Sequence, residues 1–175
     1  MQETSPEPNP LILTLSLENE ASEYFTALRN QYFPPHRNYL KAHLTLFHKL
    51  PPQEERIEAD LLELSQKQQQ LPLHVSGLIS LGRGVAFKIE SPELQQIHRV
   101  LQLQWEPFLS PQDKQKLRPH ITIQNKVDPE IARELKEKLE QGFTSFTIAG
   151  TGFSLWEYAG APWKFIREFP FSNRS

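Results

Sequence analysis

The sequence predicts a mixed α and β fold that is built from two related halves. Segments with the two-residue periodicity of strands alternate along the chain with segments of helical periodicity. In addition, a ten-residue stretch that begins at Leu40 returns in degenerate form at Leu117. Such alternation is typical of domains in which helices cover a sheet. The repeat indicates that each half contributes one copy of the same strand.

The composition is that of an ordinary folded domain. The chain has 175 residues, of which 38% are hydrophobic and 23% are charged, and this length suffices for one core. We predict a disordered tail over 1–10, a single two-lobed domain over 11–171 and a short tail over 172–175. The N-terminal tail has no basic residue and no apolar stretch, so it does not resemble a signal peptide. We therefore expect a cytoplasmic protein without a membrane anchor.

The charge balance excludes some classes of partner. The formal net charge is −2, and Glu3 and Glu7 in the predicted tail account for both units. Proteins that coat long nucleic acids usually carry a basic excess, because that binding depends on neutralising phosphates. A near-neutral domain instead fits a local site for one or two phosphates. The absence of cysteine excludes disulfides and thiolate chemistry.

The first half of the chain predicts two strands and two helices in alternation. Leucines at every second position predict a strand over 11–17. Apolar residues three and four apart then predict a helix that ends before Pro34, because Pro34 and Pro35 lack the N–H groups that a helix needs. A second strand is predicted over 42–48, and a second helix follows Pro52.

The second half repeats this alternation. Strands over 73–81 and 85–90 flank a glycine-rich turn and predict a hairpin. Pro92 is expected in the first turn of a helix, and a further strand is predicted over 119–125. Asp128 is a predicted N-cap, with Pro129 in the first turn of its helix. The remainder, to about residue 171, is aromatic and strand-like.

The internal repeat contains the residues that are able to take part in catalysis. When 40–49 (LKAHLTLFHK) is placed over 117–126 (LRPHITIQNK), the leucines, histidines, threonines and final lysines coincide. Each copy follows one predicted helix and precedes another. A single His-x-Thr in a strand is more often a polar face without a role. Two copies in matching contexts argue against that interpretation.

The spacing within each copy places histidine and threonine on one face of a strand, since residues two apart point the same way. Related lobes would bring His43 and Thr45 opposite His120 and Thr122. Two imidazoles that flank a phosphate can act as general base and general acid. Two hydroxyls can donate hydrogen bonds to the phosphate oxygens as charge develops on them. We predict that these four residues are catalytic.

At these residues the sequence resembles a known family. HLTL at 43–46 and HITI at 120–123 resemble the paired signatures of the two-histidine phosphoesterases, which include 2′-5′ RNA ligases and RNA 2′,3′-cyclic phosphodiesterases. The resemblance covers roughly 11–171. It implies an α+β fold of two lobes related by a pseudo-two-fold axis, with mainly antiparallel sheets lining a central cleft and helices outside. It also implies that His43 protonates the leaving 3′-oxygen and that His120 activates water.

The resemblance further implies the reaction and the partners. We expect a metal-independent phosphoesterase without a cofactor. Its substrates would be 2′,3′-cyclic phosphates or 2′-5′ linkages of RNA ends or nucleotides, with reversible 2′-5′ ligation as a related activity. We expect a monomer. The alternatives are a nucleotide-binding module with the same cleft but no turnover, and a scaffold protein with fortuitous signatures.

Five further residues are candidates for substrate binding. Lys41 and Arg118 precede the two histidines by two positions, so an unbroken strand would place them on the catalytic face, although solvated charges are an equal explanation. Trp156, Tyr158 and Trp163 lie in the aromatic C-terminal segment and can stack on a base, although core packing is the commoner use of such residues. The sequence has no HExxH motif and no cysteine pair, so no metal site is predicted.

Overall fold

The computed structural model describes residues 8–172. The predicted tails lie largely outside these residues, but packed structure extends into both of them. The carbonyl oxygen of Pro10 accepts a hydrogen bond of 2.9 Å from the N–H of Tyr158, and the N–H of Ser172 donates one of 2.7 Å to the carbonyl of Gln68. The packed part of the chain therefore includes residues 10 and 172.

Seven strands and four α-helices alternate along the described chain, which confirms the predicted mixed class. Their bounds are β1 (Leu11–Leu17), α1 (Asn19–Tyr32), β2 (Leu44–Leu50), α2 (Glu55–Lys67), β3 (Leu71–Ser80), β4 (Val85–Glu90), α3 (Pro92–Trp105), β5 (His120–Gln124), α4 (Pro129–Gln141), β6 (Phe146–Glu157) and β7 (Lys164–Pro170). The predicted hairpin is present as the antiparallel pair of β3 and β4.

The helix ends show where local sequence decides and where it does not. Ser91 caps α3, because its hydroxyl accepts a hydrogen bond of 3.2 Å from the N–H of Leu94. Asp128 occupies the N-cap position of α4, as predicted, but its side chain makes no capping hydrogen bond. The expected capping interaction of Asp128 is therefore wrong, although the helix begins at the expected residue.

The strands form one antiparallel sheet in the order β2-β1-β6-β3-β4-β5, with β7 paired to β6. Gly150 of β6 lies opposite Leu17 of β1 and also opposite Leu71 of β3, so β1 and β3 flank opposite edges of β6. We call β1, β2, the C-terminal half of β6 and β7 the first lobe, and β3, β4 and β5 the second lobe. The two expected sheets are therefore halves of one sheet that is continuous through β6.

The order of elements supports the predicted pseudo-two-fold relation. The series β1-α1-β2-α2-β3 is followed by the equivalent series β4-α3-β5-α4-β6. Helix α1 packs on β5, where an Arg29 N–H donates to the carbonyl of Thr122 at 3.3 Å. In the equivalent way, His98 of α3 contacts the carbonyl of Leu46 in β2 at 3.0 Å. Each half thus contributes one helix to the other lobe, and β2 and β5 come into contact although they end the strand order.

Alternation along the strands separates the core from the site. In β1, Leu13 and Leu15 are buried in the core, while Thr14 and Ser16 project to the opposite face. The same alternation holds in β2, where Leu44 and Leu46 are buried. The signature threonines consequently lie on the face that is turned away from the core.

Candidate active site

Both signature histidines are held by the backbone in the same way. His43 immediately precedes β2, and His120 is the first residue of β5. The Nδ1 atom of each ring lies 2.8 Å from the carbonyl oxygen of the residue two positions earlier, Lys41 and Arg118 respectively. Because a carbonyl oxygen only accepts, Nδ1 donates in both rings. The Nε2 atom of each histidine is therefore the atom available for proton transfer.

The two histidines are close enough to influence each other electrostatically. The pKa of His43 is lowered from 6.5 to about 4, chiefly by burial; the hydrogen bond to the Lys41 carbonyl raises it, and the positive charges of Arg29, His120 and His48 add to the lowering. His43 is therefore neutral at pH 7 in the free protein. Neutral imidazole suits a base, so an acid role would require His43 to take up a proton when an anionic substrate binds.

The signature threonines complete two equivalent pairs. Thr45 lies opposite Thr14 of β1, and Thr122 lies opposite Ala86 of β4. Both threonines are half-buried. Within residues 8–172 neither hydroxyl has a hydrogen-bond partner, so both are free to donate to a phosphate oxygen. The arrangement offers two Nε2 atoms and two hydroxyls from two contacting strands.

A buried arginine adjoins this arrangement. Arg29 of α1 is only 5% exposed, and its N–H groups donate to Asn38 Oδ1 at 3.0 Å and to the Thr122 carbonyl at 3.3 Å. Its guanidinium lies 3.9 Å from the centre of the Phe33 ring. Burial lowers the pKa of Arg29 to about 10. Among the ion pairs of the described residues none involves Arg29, so its positive charge is compensated only by neutral groups.

The sequence contains a signal for this arginine, although the residues predicted for the site did not include it. Ala21, Phe25 and Arg29 follow one another at intervals of four and are the buried residues of α1. A charged residue at a buried position of an amphipathic helix is rare unless it has a specific partner. The helical periodicity thus singles out Arg29, whereas its partner on β5 becomes apparent only in the folded protein.

A cavity of about 510 Å³ adjoins His43, and we call it the His43 cavity. Trp156 and Trp163 both line it. The Trp163 ring centre is 4.8 Å from that of His43, at an interplanar angle of 57°. Trp156 is oriented by its indole N–H, which donates to the Thr14 hydroxyl at 2.9 Å. Two of the three predicted aromatic residues thus line the cavity beside His43.

Tyr158 lies elsewhere and is removed from the predicted site. Its side chain lines a separate cavity together with Pro10 and Pro51. Strand β6 ends at Glu157. Tyr158 lies beyond the strand, so strand alternation does not determine the direction of its side chain. Its backbone instead pairs with the N-terminal segment.

Lys41 and Arg118 also differ from the prediction. Neither residue belongs to a strand, so the unbroken-strand argument for their side chains is wrong. What both of them supply to the histidines is the backbone carbonyl. The side chain of Lys41 is exposed and lines the His43 cavity, whereas Arg118 lines a small cavity with His48 and Asp113.

The described residues contain neither a cluster of metal ligands nor a helix that could span a membrane. No three His, Cys, Asp or Glu side chains between residues 8 and 172 lie together as a possible ligand set for a metal ion. In the same part of the chain, every helix is too short or too polar to cross a bilayer.

Comparison with known proteins decides the family. The family model for the 2′-5′ RNA ligase superfamily matches residues 17–162. This chain belongs to the 2′-5′ RNA ligase superfamily. The match spans both His-x-Thr signatures and thereby confirms the predicted relationship. Among curated proteins, none matches this sequence.

Several solved structures have the same fold as this chain over nearly its whole length. TT0787 of Thermus thermophilus is 16% identical with a TM-score of 0.66, and 95% of this chain covers 100% of it. LigT of E. coli in complex with ATP is 23% identical with a TM-score of 0.61, at coverages of 95% and 99%. Usb1 of Kluyveromyces marxianus is 13% identical with a TM-score of 0.53, at coverages of 95% and 100%. LigT has also been solved with 3′-AMP. The predicted fold is confirmed.

Proposed function

We propose that this protein is a metal-independent phosphoesterase that opens 2′,3′-cyclic phosphates or cleaves 2′-5′ linkages of RNA ends or nucleotides. Superfamily membership indicates a phosphoesterase-type activity, and the choice of bond is our inference. One observation supports it above all. Nδ1 of each histidine donates to the backbone carbonyl two positions earlier, which leaves Nε2 free, and the threonine two positions after each histidine has no hydrogen-bond partner for its hydroxyl within residues 8–172.

The proposed step is an in-line displacement at phosphorus. Water attacks the cyclic phosphate, one histidine accepts the proton of the water, and the other donates a proton to the 3′-oxygen as the P–O3′ bond breaks. The product is a 2′-phosphate with a free 3′-hydroxyl. Thr45 and Thr122 donate hydrogen bonds to the non-bridging oxygens, where negative charge increases. Ligation is the same opening with a 5′-hydroxyl in place of water.

The His43 cavity supports a nucleotide as substrate. Its volume of about 510 Å³ lies within the range of sites for small ligands. The indoles of Trp156 and Trp163 offer faces on which a base can stack. LigT, which shares the fold, has been solved with ATP and with 3′-AMP. We therefore infer that the nucleoside part of the substrate occupies this cavity while its phosphate lies between the histidines.

A substrate panel tests the proposal. Cyclic mononucleotides, RNA with a 2′,3′-cyclic phosphate end and 2′-5′-linked oligonucleotides are incubated with the protein in the presence of EDTA. We expect turnover of at least one class, with no loss of rate on chelation. Nucleotide binding without any turnover would instead identify a binding module. Activity that disappears with EDTA and returns with a divalent ion would contradict metal independence.

A further inference from the structure

Four polar side chains form a row across the first lobe. Thr45 of β2 is paired with Thr14 of β1, Thr14 with Ser154 of β6, and Ser154 with Glu168 of β7. Directly paired residues of antiparallel strands project from the same face of the sheet. The row therefore starts at a signature threonine and ends at a carboxylate. The next residue along β7, Phe169, is buried in the core, which places Glu168 on the opposite face.

This row lies along the His43 cavity. Thr14, Ser154 and Glu168 line the cavity together with His43, and Glu168 is the acidic residue of that lining. No ion pair among residues 8–172 involves Glu168, so its carboxylate is available to a ligand. Neighbouring strands are ~4.8 Å apart, so the Glu168 backbone lies three strand spacings, ~14 Å, from that of Thr45. A nucleotide whose phosphate is bound at Thr45 can extend its base toward Glu168.

A carboxylate at the far end of the cavity discriminates between bases. It has only acceptor oxygens, so it favours a base edge that presents adjacent donors. The Watson–Crick edge of guanine presents two, N1–H and the 2-amino group, and these match the two oxygens of one carboxylate. Adenine and cytosine each place an acceptor nitrogen beside their single amino donor. Uracil places a carbonyl on either side of its single N–H.

We propose that the His43 cavity is a base-recognition subsite in which Glu168 selects guanine. Trp156 and Trp163 supply the stacking faces, and the Glu168 carboxylate accepts hydrogen bonds from the two donors of the guanine edge. This base selection rests on the proposed function, since that function places the phosphate beside His43.

The direct test measures equilibrium binding of 2′-GMP and 2′-AMP by calorimetry. These product nucleotides are not turned over, so affinity is measured without chemistry. We expect the wild type to bind 2′-GMP at least about tenfold more tightly, in the range of discrimination of a good bidentate contact. Glu168→Gln and Glu168→Ala should reduce the ratio to about threefold or less. The matched control is Glu134→Gln on the exposed side of α4, which should leave the ratio unchanged.

Equal affinity for the two nucleotides in the wild type would overturn the inference. An unchanged preference in both Glu168 variants would do the same, as would no binding of either nucleotide at millimolar concentration. Measuring hydrolysis distinguishes a failure of the base selection from a failure of the proposed function. Equal hydrolysis of all four cyclic nucleotides would refute the base selection but would still support the proposed phosphoesterase activity. If binding prefers guanine in a Glu168-dependent way but no nucleotide is hydrolysed, the base-recognition subsite is supported and the proposed reaction is refuted.

Discussion

The first lobe and the second lobe contain the same signature but differ in what lies beside it. From Thr45, the paired residues across the first lobe are polar and lead to Ser154 and Glu168. From Thr122, the paired residues across the second lobe are Ala86 and Ile79. The repeat thus places a histidine and a threonine in each lobe in the same way, while the surroundings of the two pairs are asymmetric. The proposed nucleotide substrate would use both features, because its phosphate would contact the two lobes and its base only the first lobe.

The difference arises from the C-terminal segment. Strand β7 pairs with the C-terminal half of β6 and so extends the first lobe. The same segment provides Trp163, which packs against His43. The pKa of His43 is lowered chiefly by burial, so the added segment is also positioned to affect the titration of this histidine.

The largest expected effect tests whether the two histidines contribute equally to the proposed reaction. His43→Ala and His120→Ala should each lower kcat/KM for a 2′,3′-cyclic nucleotide by at least ~10²-fold, the lower end of what a positioned acid or base contributes. The double variant should lose less than the product of the single losses, because each role fails without the other. Steady-state hydrolysis measures all three. A single variant within a few-fold of the wild type would refute the two-histidine mechanism.

Next in size are the threonines, which test whether the two sides share the work equally. Thr45→Ala and Thr122→Ala should each cost ~1.5–3 kcal/mol of transition-state stabilisation, the value of a hydrogen bond to a charged group. The loss should appear in kcat, since the phosphate gains charge in the transition state. Thr→Ser at either position keeps the hydroxyl and should restore most of the rate. A loss confined to KM would contradict this role.

Replacing Trp163 tests the asymmetry itself. Trp163→Ala should weaken binding of a 2′-nucleotide by ~1–3 kcal/mol, the value of stacking on one base. The matched change on the second lobe is Ile79→Ala, which should leave affinity within about twofold. Calorimetric titration of both variants makes the comparison. Equal losses at the two positions would show that the base does not prefer the first lobe.

The pH dependence of the activity should show the lowered pKa of His43. Burial penalises the charged form of His43, so its pKa of about 4 should place one limb of the kcat/KM profile near that pH. In His120→Ala that limb should persist, and in His43→Ala it should be absent. The side of the pKa on which His120→Ala loses activity shows whether His43 is the base or the acid. A base loses activity below its pKa, and an acid loses activity above it. In His120→Ala, a limb near the ordinary histidine value of about 6.5 instead would contradict the lowered pKa of His43.

Much of the fold and the position of the two His-Thr pairs were predictable from local pattern. Periodicity predicted β5 over 119–125, and the strand runs from His120 to Gln124. The His-Thr pairs were identifiable because histidine and threonine two apart must share a strand face, whatever surrounds them. The repeat added that two such faces are related. Both inferences depend only on neighbouring residues and on backbone geometry.

Long-range contacts decided the remainder. The environment of Arg29 depends on Thr122, which is distant in sequence but adjacent in the fold. The same holds for Trp163 and Tyr158, of which only Trp163 lies against His43, because the end of β6 redirects the chain between them. The alternating pattern specified the strands and the placement of the two His-Thr pairs, since periodicity depends only on neighbouring residues. Burial, and with it the pKa of His43 and the asymmetry of the lobes, arose only when distant segments packed together.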